Sequence, residues 1–390
     1  MIRPTRTEQI LERLVAFKSI SADSNLELIG YVEALLSENG FEVHRIADAT
    51  GEKAGLFARF GPPVPGVLLS GHTDVVPTEG QAWTHDPFIL TRDGDHLYGR
   101  GTTDMKGFIA SALALAERAA DVPLQRPLLL AFSYEEEIGC LGIRQMIDAM
   151  EDRIGRPEFC IVGEPTQMQV AIGHKGKGAL RAICRGQSGH SALAPNFANA
   201  IHIAIDFVQE LRALQTWFAD SGSKDPAYEI PYTTLHVGKI SGGRVLNIVA
   251  EEATVEFEYR HVAADAPEDI MEQILKVAET VASRYREKFA GASISVERYN
   301  AYPGLDVAEQ SDIVTMVQNL ARTNSVCKVS FGTESGFFDG LAIPTVVCGP
   351  GSMTGQGHMP DEYITTSQLA ACDAMMDRLL EYLGSERPDA

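Results

Sequence analysis

The sequence predicts an α/β protein in which a doubly wound, largely parallel sheet is interrupted by an inserted βαββαβ domain. Over the first 175 residues, continuous apolar runs alternate with amphipathic helical segments, as expected for a parallel sheet that helices cover on both faces. The middle of the chain differs, because residues 253–260 alternate cleanly between apolar and polar types, typical of a strand with one solvated face. With 390 residues, the chain is also too long for one compact core, so two domains are expected.

The first domain is expected to begin with an amphipathic helix within residues 1–17 and a second helix whose apolar stripe over 26–36 stops at Gly40. Buried strands are predicted wherever a short apolar run is continuous, namely at 54–60, 67–71, 128–133 and 159–163. Helices at about 105–119 and 141–150 separate the later strands. Strands that alternate with helices in this way favour parallel pairing.

The inserted domain is predicted from strands at 179–185, 233–240, 253–260 and 293–299 and helices at 198–214 and 268–289. Their order is that of the split βαβ unit, which is able to fold alone. The doubly wound pattern then resumes with a helix near 309–322, a strand at 343–349 and a helix at about 366–383. The expected boundaries are 1–177 and 293–390 for the first domain and 178–292 for the insertion.

The charge balance is acidic, with 53 Asp and Glu residues against 33 Lys and Arg and a formal net charge of -20. Such a surface repels phosphate backbones and anionic membranes, so neither nucleic acid nor a membrane is expected as a partner. The N-terminus lacks the apolar core of a signal peptide, and no apolar run approaches the roughly 20 residues of a membrane span. The six cysteines are scattered without a CxxC pair. Free thiols in the cytoplasm are therefore expected.

Chemically active side chains follow the predicted strands at the points where these strands end. His72 follows the strand at 67–71, an acidic triplet follows 128–133, Glu164 follows 159–163, and His358 comes shortly after 343–349. In open α/β sheets the ligand crevice lies outside the carboxyl ends of the strands. These residues are therefore expected to meet in one site.

The candidate residues are of the types that bind metal ions: His72, Asp104, Glu137, Glu164 and His358. Two imidazoles and three carboxylates suit Zn²⁺, with Co²⁺ or Mn²⁺ as substitutes. Asp104 is the natural bridge between two metals, because a carboxylate has two oxygens to offer. Asp74 lies two residues after His72 and is expected on the same strand face, where its carboxylate would hydrogen-bond the distal ring nitrogen of His72. Taken singly, a loop histidine or a helix-capping aspartate explains each position.

These residues sit in motifs that resemble the five metal-site motifs of the co-catalytic zinc amidohydrolases. That family includes carboxypeptidase G, aminoacylase, succinyl-diaminopimelate desuccinylase and acetylornithine deacetylase. The motifs here are His72-Thr73-Asp74, Gly101-Thr102-Thr103-Asp104-Met105-Lys106-Gly107, Glu136-Glu137, Gly163-Glu164-Pro165 and His358-Met359-Pro360-Asp361-Glu362. The resemblance covers nearly the whole chain. It implies that the inserted domain is a lid that also joins two subunits in a homodimer.

The resemblance implies two Zn²⁺ ions per subunit, each held by one histidine and one glutamate. His72 and Glu164 would bind one ion, Glu137 and His358 the other, and Asp104 would bridge them. It also implies a cis peptide bond between Asp104 and Met105.

Within the acidic triplet, Glu136 is implied to be the general base. The family places base and ligand side by side just before one residue and a glycine, here Ile138 and Gly139, which selects Glu136 and Glu137 over Glu135. A water between two Zn²⁺ ions has its pKa lowered towards about 7. Glu136 would take its remaining proton during attack on the amide carbonyl and hand that proton to the departing amine.

Further residues resemble substrate-binding positions of the family. His190 would reach into the partner subunit's site and stabilise the tetrahedral intermediate, although an ordinary polar loop histidine is the alternative. Arg260 and Asn247 would grip the substrate α-carboxylate, a task that suits the two-pronged guanidinium. Gly351 and Ser352 would offer backbone N–H groups to the same carboxylate, with a plain turn as an equal alternative.

The loop 331–338, which contains Thr333 and Glu334, resembles the GTE-containing loop of acetylornithine deacetylases. Succinyl-diaminopimelate desuccinylases carry an Arg near the position of Phe337, where an aromatic residue favours a small uncharged acyl group. Glu334 would pair with the ammonium group of ornithine. The expected reaction is hydrolysis of N²-acetyl-L-ornithine to L-ornithine and acetate, in arginine biosynthesis.

Three alternatives remain open from the sequence. The first is another N-acyl-amino-acid deacylase, acting on succinyl-diaminopimelate, acetylcitrulline or the substrates of aminoacylase. The second is a dipeptidase or carboxypeptidase on the same scaffold. The third, a catalytically dead binding homologue, would require the loss of a ligand or of the base, and none is lost in this sequence.

Overall fold

A computed structural model describes residues 3–386 of the chain. Its α-helices are α1 (Arg6–Ala16), α2 (Leu26–Glu38), α3 (Gly107–Ala119), α4 (Leu141–Met146), α5 (Met150–Ile154), α6 (Ala200–Ser221), α7 (Pro267–Arg286), α8 (Asp312–Ala321), α9 (Ser335–Gly340) and α10 (Thr366–Gly384). Its strands are β1 (Glu42–Ala47), β2 (Ala54–Phe60), β3 (Gly66–His72), β4 (Thr91–Asp93), β5 (His96–Tyr98), β6 (Leu128–Ser133), β7 (Pro157–Pro165), β8 (Val170–His174), β9 (Gly176–Arg185), β10 (Thr234–Gly242), β11 (Glu252–His261), β12 (Ser293–Tyr302), β13 (Leu305–Asp306), β14 (Val326–Val329), β15 (Thr345–Gly349) and β16 (Tyr363–Thr365).

The chain forms two compact units. The first runs to Gly173 and continues over Leu305–Val329 and from Thr333 onward, and the second comprises His174–Gly304 with Ser330–Gly332. The second unit therefore lies within the sequence of the first. The boundary expected at 292 falls just before β12, which pairs with β9 in the sheet of the second unit.

The first unit is built on a sheet in the order β1-β2-β6-β3-β7-β15-β8-β13, with β14 paired to β8. Its centre is parallel, because β3 pairs in parallel with both β6 and β7, and β15 does so with β7. Antiparallel pairs flank this centre, with β2 on β6 and β8 on β15. Every residue of β3 and β6 is buried, as predicted from their continuous apolar runs. The largely parallel α/β fold predicted from the sequence is confirmed.

Close packing of α3 against β7 sets the distance between the start of this helix and the sheet. Helix α3 is buried along most of its length and begins just after the Asp104 turn. A Cβ added to Gly163 in β7 would lie 2.0 Å from the ring of Phe108 in α3. Only glycine therefore lets the ring reach the strand, one residue before Glu164. This contact brings the start of α3 close to the end of β7.

The second unit is an antiparallel sheet in the order β10-β11-β9-β12, on which α6 and α7 pack. Along β11, buried and partly exposed residues alternate over the whole strand, because one face meets the helices and the other carries charge. On the charged face, Lys177 pairs with Glu258 and Arg185 with Glu252. The strand and helix order β9-α6-β10-β11-α7-β12 is the βαββαβ unit that the sequence predicts.

The sequence missed the shortest elements, including β4, β5, β13, β16 and α9, which are too brief to show a period. The helix expected at 141–150 is interrupted, because a 3₁₀ turn at Ile147–Ala149 separates α4 from α5. Within residues 3–386, the helices all fall short of the combination of length and apolar character that crossing a membrane demands.

Candidate metal centre

Neighbouring parallel strands bring the predicted ligands to one edge of the sheet. His72 is the last residue of β3, and Glu164 is the last but one of β7. The loop after β6, the other neighbour of β3, carries Glu136 and Glu137, while the loop after β15 leads to His358. The carboxyl ends of parallel strands meet at one edge, which is where an open α/β sheet binds its ligands.

Asp104 reaches this edge through an irregular turn at Thr102–Lys106, just before α3. The turn starts at Gly101, whose φ of +82° is left-handed and favours glycine. Asp104 itself has non-helical backbone angles and is buried. The peptide bond between Asp104 and Met105 is cis, as the resemblance implied.

The two carboxylate oxygens of Asp104 face two different histidines. Oδ1 lies 3.0 Å from Nε2 of His72, and Oδ2 lies 3.3 Å from Nε2 of His358. Each histidine also faces one glutamate, with Glu164 Oε1 3.6 Å from His72 Nε2 and Glu137 Oε2 2.9 Å from His358 Nε2. The structure thus brings together all five side chains proposed as ligands.

Candidate ligand atoms also cluster in threes. Those of His72, Asp104 and Glu137 lie within 4.8 Å of one another, as do those of His72, Glu136 and Glu164. The second group includes Glu136, which the sequence assigned to proton transfer rather than to a metal. This carboxylate therefore lies within reach of the same ions that the other ligands would hold.

Burial makes the ionised form of the site's carboxylates costly. Burial raises the pKa of Glu137 to about 7, helped by the charge of Asp104. Burial likewise raises the pKa of Glu136 and of Glu164 well above the usual range. Divalent cations would supply the missing positive charge, and oxygen and imidazole donors suit zinc. The residues present therefore fit a pair of metal ions.

The histidines are held by carboxylates on their ring nitrogens. Hydrogen bonds to Asp104 and Glu137 raise the pKa of His358 to about 10. For His72, burial acts to lower the pKa, but the contacts with Asp104 and Asp74 raise it well above the usual value. These raised pKa values favour the protonated rings, so protons compete with metal ions for the same nitrogens.

Asp74 contacts Nδ1 of His72, the ring nitrogen that faces away from Asp104, and it does so mainly through its backbone carbonyl. Nδ1 of His72 lies 3.0 Å from the carbonyl oxygen of Asp74 and 3.5 Å from its carboxylate Oδ1. Because the carbonyl can only accept, it fixes the ring proton on Nδ1 and leaves the Nε2 lone pair for a metal. The Asp74 carboxylate accepts from the hydroxyl of Ser21 at 2.6 Å and from the backbone N–H groups of Glu136 and Glu137 at 3.1 and 3.3 Å.

Glu135 is engaged elsewhere. Its carboxylate forms an ion pair with Lys53, whose ammonium group also donates to the carbonyl of Ser21. This pairing leaves Glu136 and Glu137 as the members of the triplet that face the other ligands. The roles of Glu136 and Glu137 remain those that the resemblance implies.

Glu362 belongs to a motif identified in the sequence, but no role was predicted for it, and no role was predicted for Arg100. The buried carboxylate of Glu362 accepts the backbone N–H groups of Gly101, Thr103 and Asp104 at 2.9, 2.9 and 3.1 Å. It also pairs with the buried guanidinium of Arg100 at 2.7 Å. This pair holds the Asp104 turn. The available signal was the position of the two charges, since Arg100 directly precedes the motif at 101–107 and Glu362 ends the motif at 358–362.

Arg100 extends the same network to the His358 segment. Its guanidinium donates to the carbonyl of Met359 at 3.3 Å and to Oε1 of Gln81 at 2.6 Å. The amide of Gln81 in turn donates to the carbonyl of His358 at 2.8 Å. Through Glu362, which accepts the backbone N–H of Asp104, this one cation links the Asp104 turn to the segment that carries His358.

Three predicted substrate residues lie in the second unit. His190 is exposed, and its Nδ1 accepts the backbone N–H of Ala192 at 3.1 Å. Asn247 is exposed on the neighbouring loop, where its carbonyl accepts from Ser191 at 3.1 Å. Arg260 is partly buried, with Nε 2.9 Å from Glu258. Its Nη1 lies 3.3 Å from the hydroxyl of Tyr302.

The remaining predicted residues lie in the first unit. Thr333 is buried, and its hydroxyl accepts the N–H of Ser335 at 3.1 Å. Gly351 has a φ of +89°, and its N–H donates to Gln368 at 3.2 Å rather than standing open. The hydroxyl of Ser352 accepts the N–H of Thr354, in the manner of a turn.

Glu334 and Phe337 bear on the choice of substrate. Burial raises the pKa of Glu334 to about 7, although the hydroxyl of Ser133 acts to lower it. Among residues 3–386 no well-formed hydrogen bond reaches its carboxylate oxygens. The guanidinium of Arg144 lies 5.9 Å from the ring centre of Phe337. A cation thus stands near a position where the sequence indicated only an aromatic ring.

The chain is similar to known proteins along nearly its whole length. Residues 68–382 match the family model described as peptidase family M20/M25/M40. The acetylornithine deacetylase of Pectobacterium carotovorum subsp. carotovorum is 31% identical over 381 residues, covering 96% of this chain and 97% of the relative.

Solved structures show the same fold. A metallo-carboxypeptidase of the M20 family from Sulfolobus solfataricus has a TM-score of 0.77 at 19% identity and covers 98% of this chain and 100% of that chain. A dinuclear metal-binding M20 peptidase from Bacillus subtilis has a TM-score of 0.68 at 17% identity and covers 97% of this chain and 98% of that chain.

Proposed function

Because the chain belongs to peptidase family M20/M25/M40 and is thereby a metal-dependent hydrolase, we propose that it removes the acyl group from the α-nitrogen of an N-acyl amino acid, and that its substrate is N²-acetyl-L-ornithine. Two Zn²⁺ ions per subunit would be held by His72, Glu164, Glu137 and His358, with Asp104 as the bridge. The observation that carries this proposal is the division of the two Asp104 oxygens between His72 and His358.

The proposed chemistry divides between the ions and the side chains. When bound, the two ions polarise the amide carbonyl and lower the pKa of a water towards about 7. Glu136 accepts the proton of the attacking water on its carboxylate and delivers it to the nitrogen of the leaving amine. Asp74 holds the backbone N–H of Glu136 and so keeps the base in place.

The tetrahedral oxyanion needs a hydrogen-bond donor, and His190 has the correct tautomer. Its Nδ1 accepts the N–H of Ala192, so in the neutral ring the proton lies on Nε2, which is free to donate. Arg260 and Asn247 are proposed to bind the α-carboxylate, with Gly351 and Ser352 as weaker candidates. The guanidinium of Arg260 is oriented by Glu258 and Tyr302.

The substrate proposal rests mainly on Glu334. Among residues 3–386, no well-formed hydrogen bond reaches the buried carboxylate of Glu334, and such a carboxylate costs several kcal/mol when it ionises unless a cation pairs with it. The ammonium group of ornithine is such a cation, and Thr333 is proposed to help position this loop. The name of the Pectobacterium relative supports the same substrate. A place in arginine biosynthesis in the cytoplasm is part of the proposal.

A second substrate class is favoured by one observation. The guanidinium of Arg144, 5.9 Å from the Phe337 ring centre, would suit a second carboxylate such as that of a succinyl group. The guanidinium also donates a hydrogen bond to the carbonyl of Gly139 at 3.1 Å, so Arg144 stabilises the local fold as well. We therefore retain succinyl-diaminopimelate as the competing substrate.

The substrate is decided by measuring kcat/KM for four compounds under one metal condition: acetylornithine, acetylmethionine, acetylcitrulline and succinyl-diaminopimelate. Acetylornithine should be the best of the four. The matched variant Glu334→Gln keeps the shape of the side chain and should lower kcat/KM for acetylornithine at least tenfold while leaving acetylmethionine nearly unchanged, because only the charge pair is lost.

The alternatives give distinct outcomes. A clear preference for acetylmethionine or acetylcitrulline would remove the role of Glu334 and leave the deacylase proposal standing. Preference for succinyl-diaminopimelate, lost in Arg144→Met, would transfer the assignment to the second class. Activity only on free dipeptides would overturn the deacylase proposal.

We propose further that the second unit joins two subunits in a homodimer and that His190 acts in the partner's site. Exposed apolar side chains of this unit, among them Ile240 and Leu246, support an interface. Mixing His190→Ala subunits with Glu136→Ala subunits should restore activity, because one site of each mixed dimer then has both residues. Two inactive variants that stay inactive after subunit exchange would refute this arrangement.

A further inference from the structure

The loop after β6 turns back on itself at the proposed base. The carbonyl of Glu136 accepts the backbone N–H of Gly139 at 2.7 Å and that of Cys140 at 2.8 Å. The carbonyl of Tyr134 accepts the N–H of Gly142 at 3.1 Å. A Cβ on Gly142 would lie 2.1 Å from the Tyr134 carbonyl oxygen, so this closure requires glycine. The turn brings the side chain of Cys140 back beside that of Glu136.

The thiol of Cys140 contacts the carboxylate directly. Its Sγ lies 3.4 Å from Oε1 of Glu136, and the cysteine side chain is fully buried. Burial, together with the negative charges of Glu136 and Glu334, raises the pKa of this thiol well above its usual value. The sulfur therefore keeps its proton, and in this contact the thiol donates and the carboxylate accepts.

A contact of this kind matters for a glutamate because the last torsion of its side chain is soft. Rotation of a carboxylate about its terminal bond has no sharp preferred angle. Among the described residues, the backbone of Glu136 is fixed by Asp74, but this does not set the angle of its carboxylate. A donor that holds Oε1 determines where Oε2 points.

We propose that Cys140 is a positioning residue, whose thiol holds Oε1 of Glu136 and so orients the carboxylate for proton transfer. The inference rests on the proposed function, in which Glu136 carries the proton between water and amine. Cys140 touches neither substrate nor metal in this account. It acts only through the angle of the base.

The test compares Cys140→Ala, which removes the donor, with Cys140→Ser, which retains one. Cys140 has a φ of +55°, and since both replacements keep a Cβ, both bear the same backbone strain. Loss of one modest hydrogen bond should lower kcat about three- to tenfold in Cys140→Ala. KM and bound metal should not change, and Cys140→Ser should recover most of kcat. Equal kcat in wild type and Cys140→Ala, or equal losses in both variants, would overturn the proposal.

Glu136→Gln separates this inference from the function on which it rests. If Glu136→Gln keeps full activity, the base is wrongly assigned and the proposed mechanism fails. If Glu136→Gln is inactive while Cys140→Ala behaves as wild type, only the present inference fails. In the Glu136→Gln background, Cys140→Ala should cause no further loss.

A spectroscopic readout needs neither activity nor a cysteine variant. In zinc-loaded protein, where nearby cations would favour the ionised form of Glu136, Raman difference spectra between wild type and Glu136→Gln should show one S–H stretching band move to higher wavenumber, because the carboxamide is the weaker acceptor. A matched Glu135→Gln variant should leave the S–H bands unmoved, since Glu135 pairs with Lys53. No shift in Glu136→Gln would contradict the thiol–carboxylate contact.

Discussion

The carboxylate of Asp74 accepts the backbone N–H of Glu136, with Oδ1 3.1 Å from the nitrogen. Its second oxygen lies 3.3 Å from the backbone nitrogen of Glu137, and its own carbonyl accepts from the ring of His72. A single residue after β3 therefore controls both a ligand of one metal and the loop that carries the base and a ligand of the other. Burial would raise the pKa of this carboxyl, but the contact with His72 holds it below the usual range.

Replacing Asp74 by Asn should impair both metal binding and turnover. The carboxamide has one acceptor oxygen where the carboxylate has two, so at least one backbone N–H of the Glu136–Glu137 pair loses its partner. Loss of such an outer partner costs about 10- to 100-fold in metal affinity or activity. Steady-state kinetics and metal titration measure the two effects. Ser21→Ala, which removes only the hydroxyl donor to Asp74, should cost less, and unchanged metal affinity and turnover in Asp74→Asn would contradict this role.

Replacing Glu136 by Ala and replacing Glu137 by Ala should have different effects on the number of bound metals. Glu136→Ala should abolish turnover and leave two metals bound, whereas Glu137→Ala should lose one metal, because Glu137 faces His358. Metal analysis alongside kinetics distinguishes them. Glu135→Ala serves as the matched control and should retain both, since its carboxylate pairs with Lys53. The reverse pattern would exchange the roles of Glu136 and Glu137.

The buried pair of Arg100 and Glu362 should matter for both stability and metal binding. Removing one partner of a buried ion pair costs about 3–5 kcal/mol because the other charge is left alone, so Arg100→Met should unfold at a markedly lower temperature. Glu362→Gln should also weaken metal binding, since the carboxylate accepts the N–H of Asp104. Thermal denaturation and metal titration provide the measurements.

The exposed pair of Arg244 and Glu251 offers the matched control for that experiment. Surface ion pairs contribute about 0–1 kcal/mol, so Arg244→Met should shift the melting temperature little. If Arg100→Met is as stable as Arg244→Met, the buried network does not hold the turn.

Some features of the fold and of the site could be predicted from the sequence because they depend on residues that are close together in the chain. Strand β2 was predicted at its observed bounds, since a continuous apolar run marks a buried strand. The ligands after β3 and β7 could be placed because parallel strands end at a common edge. The choice of Glu136 and Glu137 over Glu135 came from the resemblance to the family, whose pattern places the two glutamates just before one residue and a glycine.

Other features depend on contacts between distant segments, which no local pattern reveals. Lys53 and Glu135 are far apart in the sequence, as are Arg100 and Glu362. The Asp74 contact with His72 was expected through the carboxylate alone, whereas the closer atom is the backbone carbonyl. Short strands such as β13 arise from pairing and have no period of their own.

Metal affinity should increase with pH. In metal-free protein the pKa of Glu137 is raised to about 7 and that of His358 to about 10, so both ligands hold protons that must leave before a metal binds. The apparent dissociation constant should therefore fall steadily between about pH 6 and pH 9. Chelator competition at a series of pH values measures it. Glu137→Gln, which cannot titrate, should show a shallower dependence, and a flat wild-type profile would contradict the assignment.

The central claim is that Asp104 bridges two metal ions, and crystallography of the metal-loaded protein with anomalous diffraction at the absorption edge of the metal tests it most directly. The account predicts two anomalous peaks about 3.5–4 Å apart, with one oxygen of Asp104 on each, His72 on one ion and His358 on the other. Both histidines on a single ion, or Asp104 turned away from the metals, would contradict it.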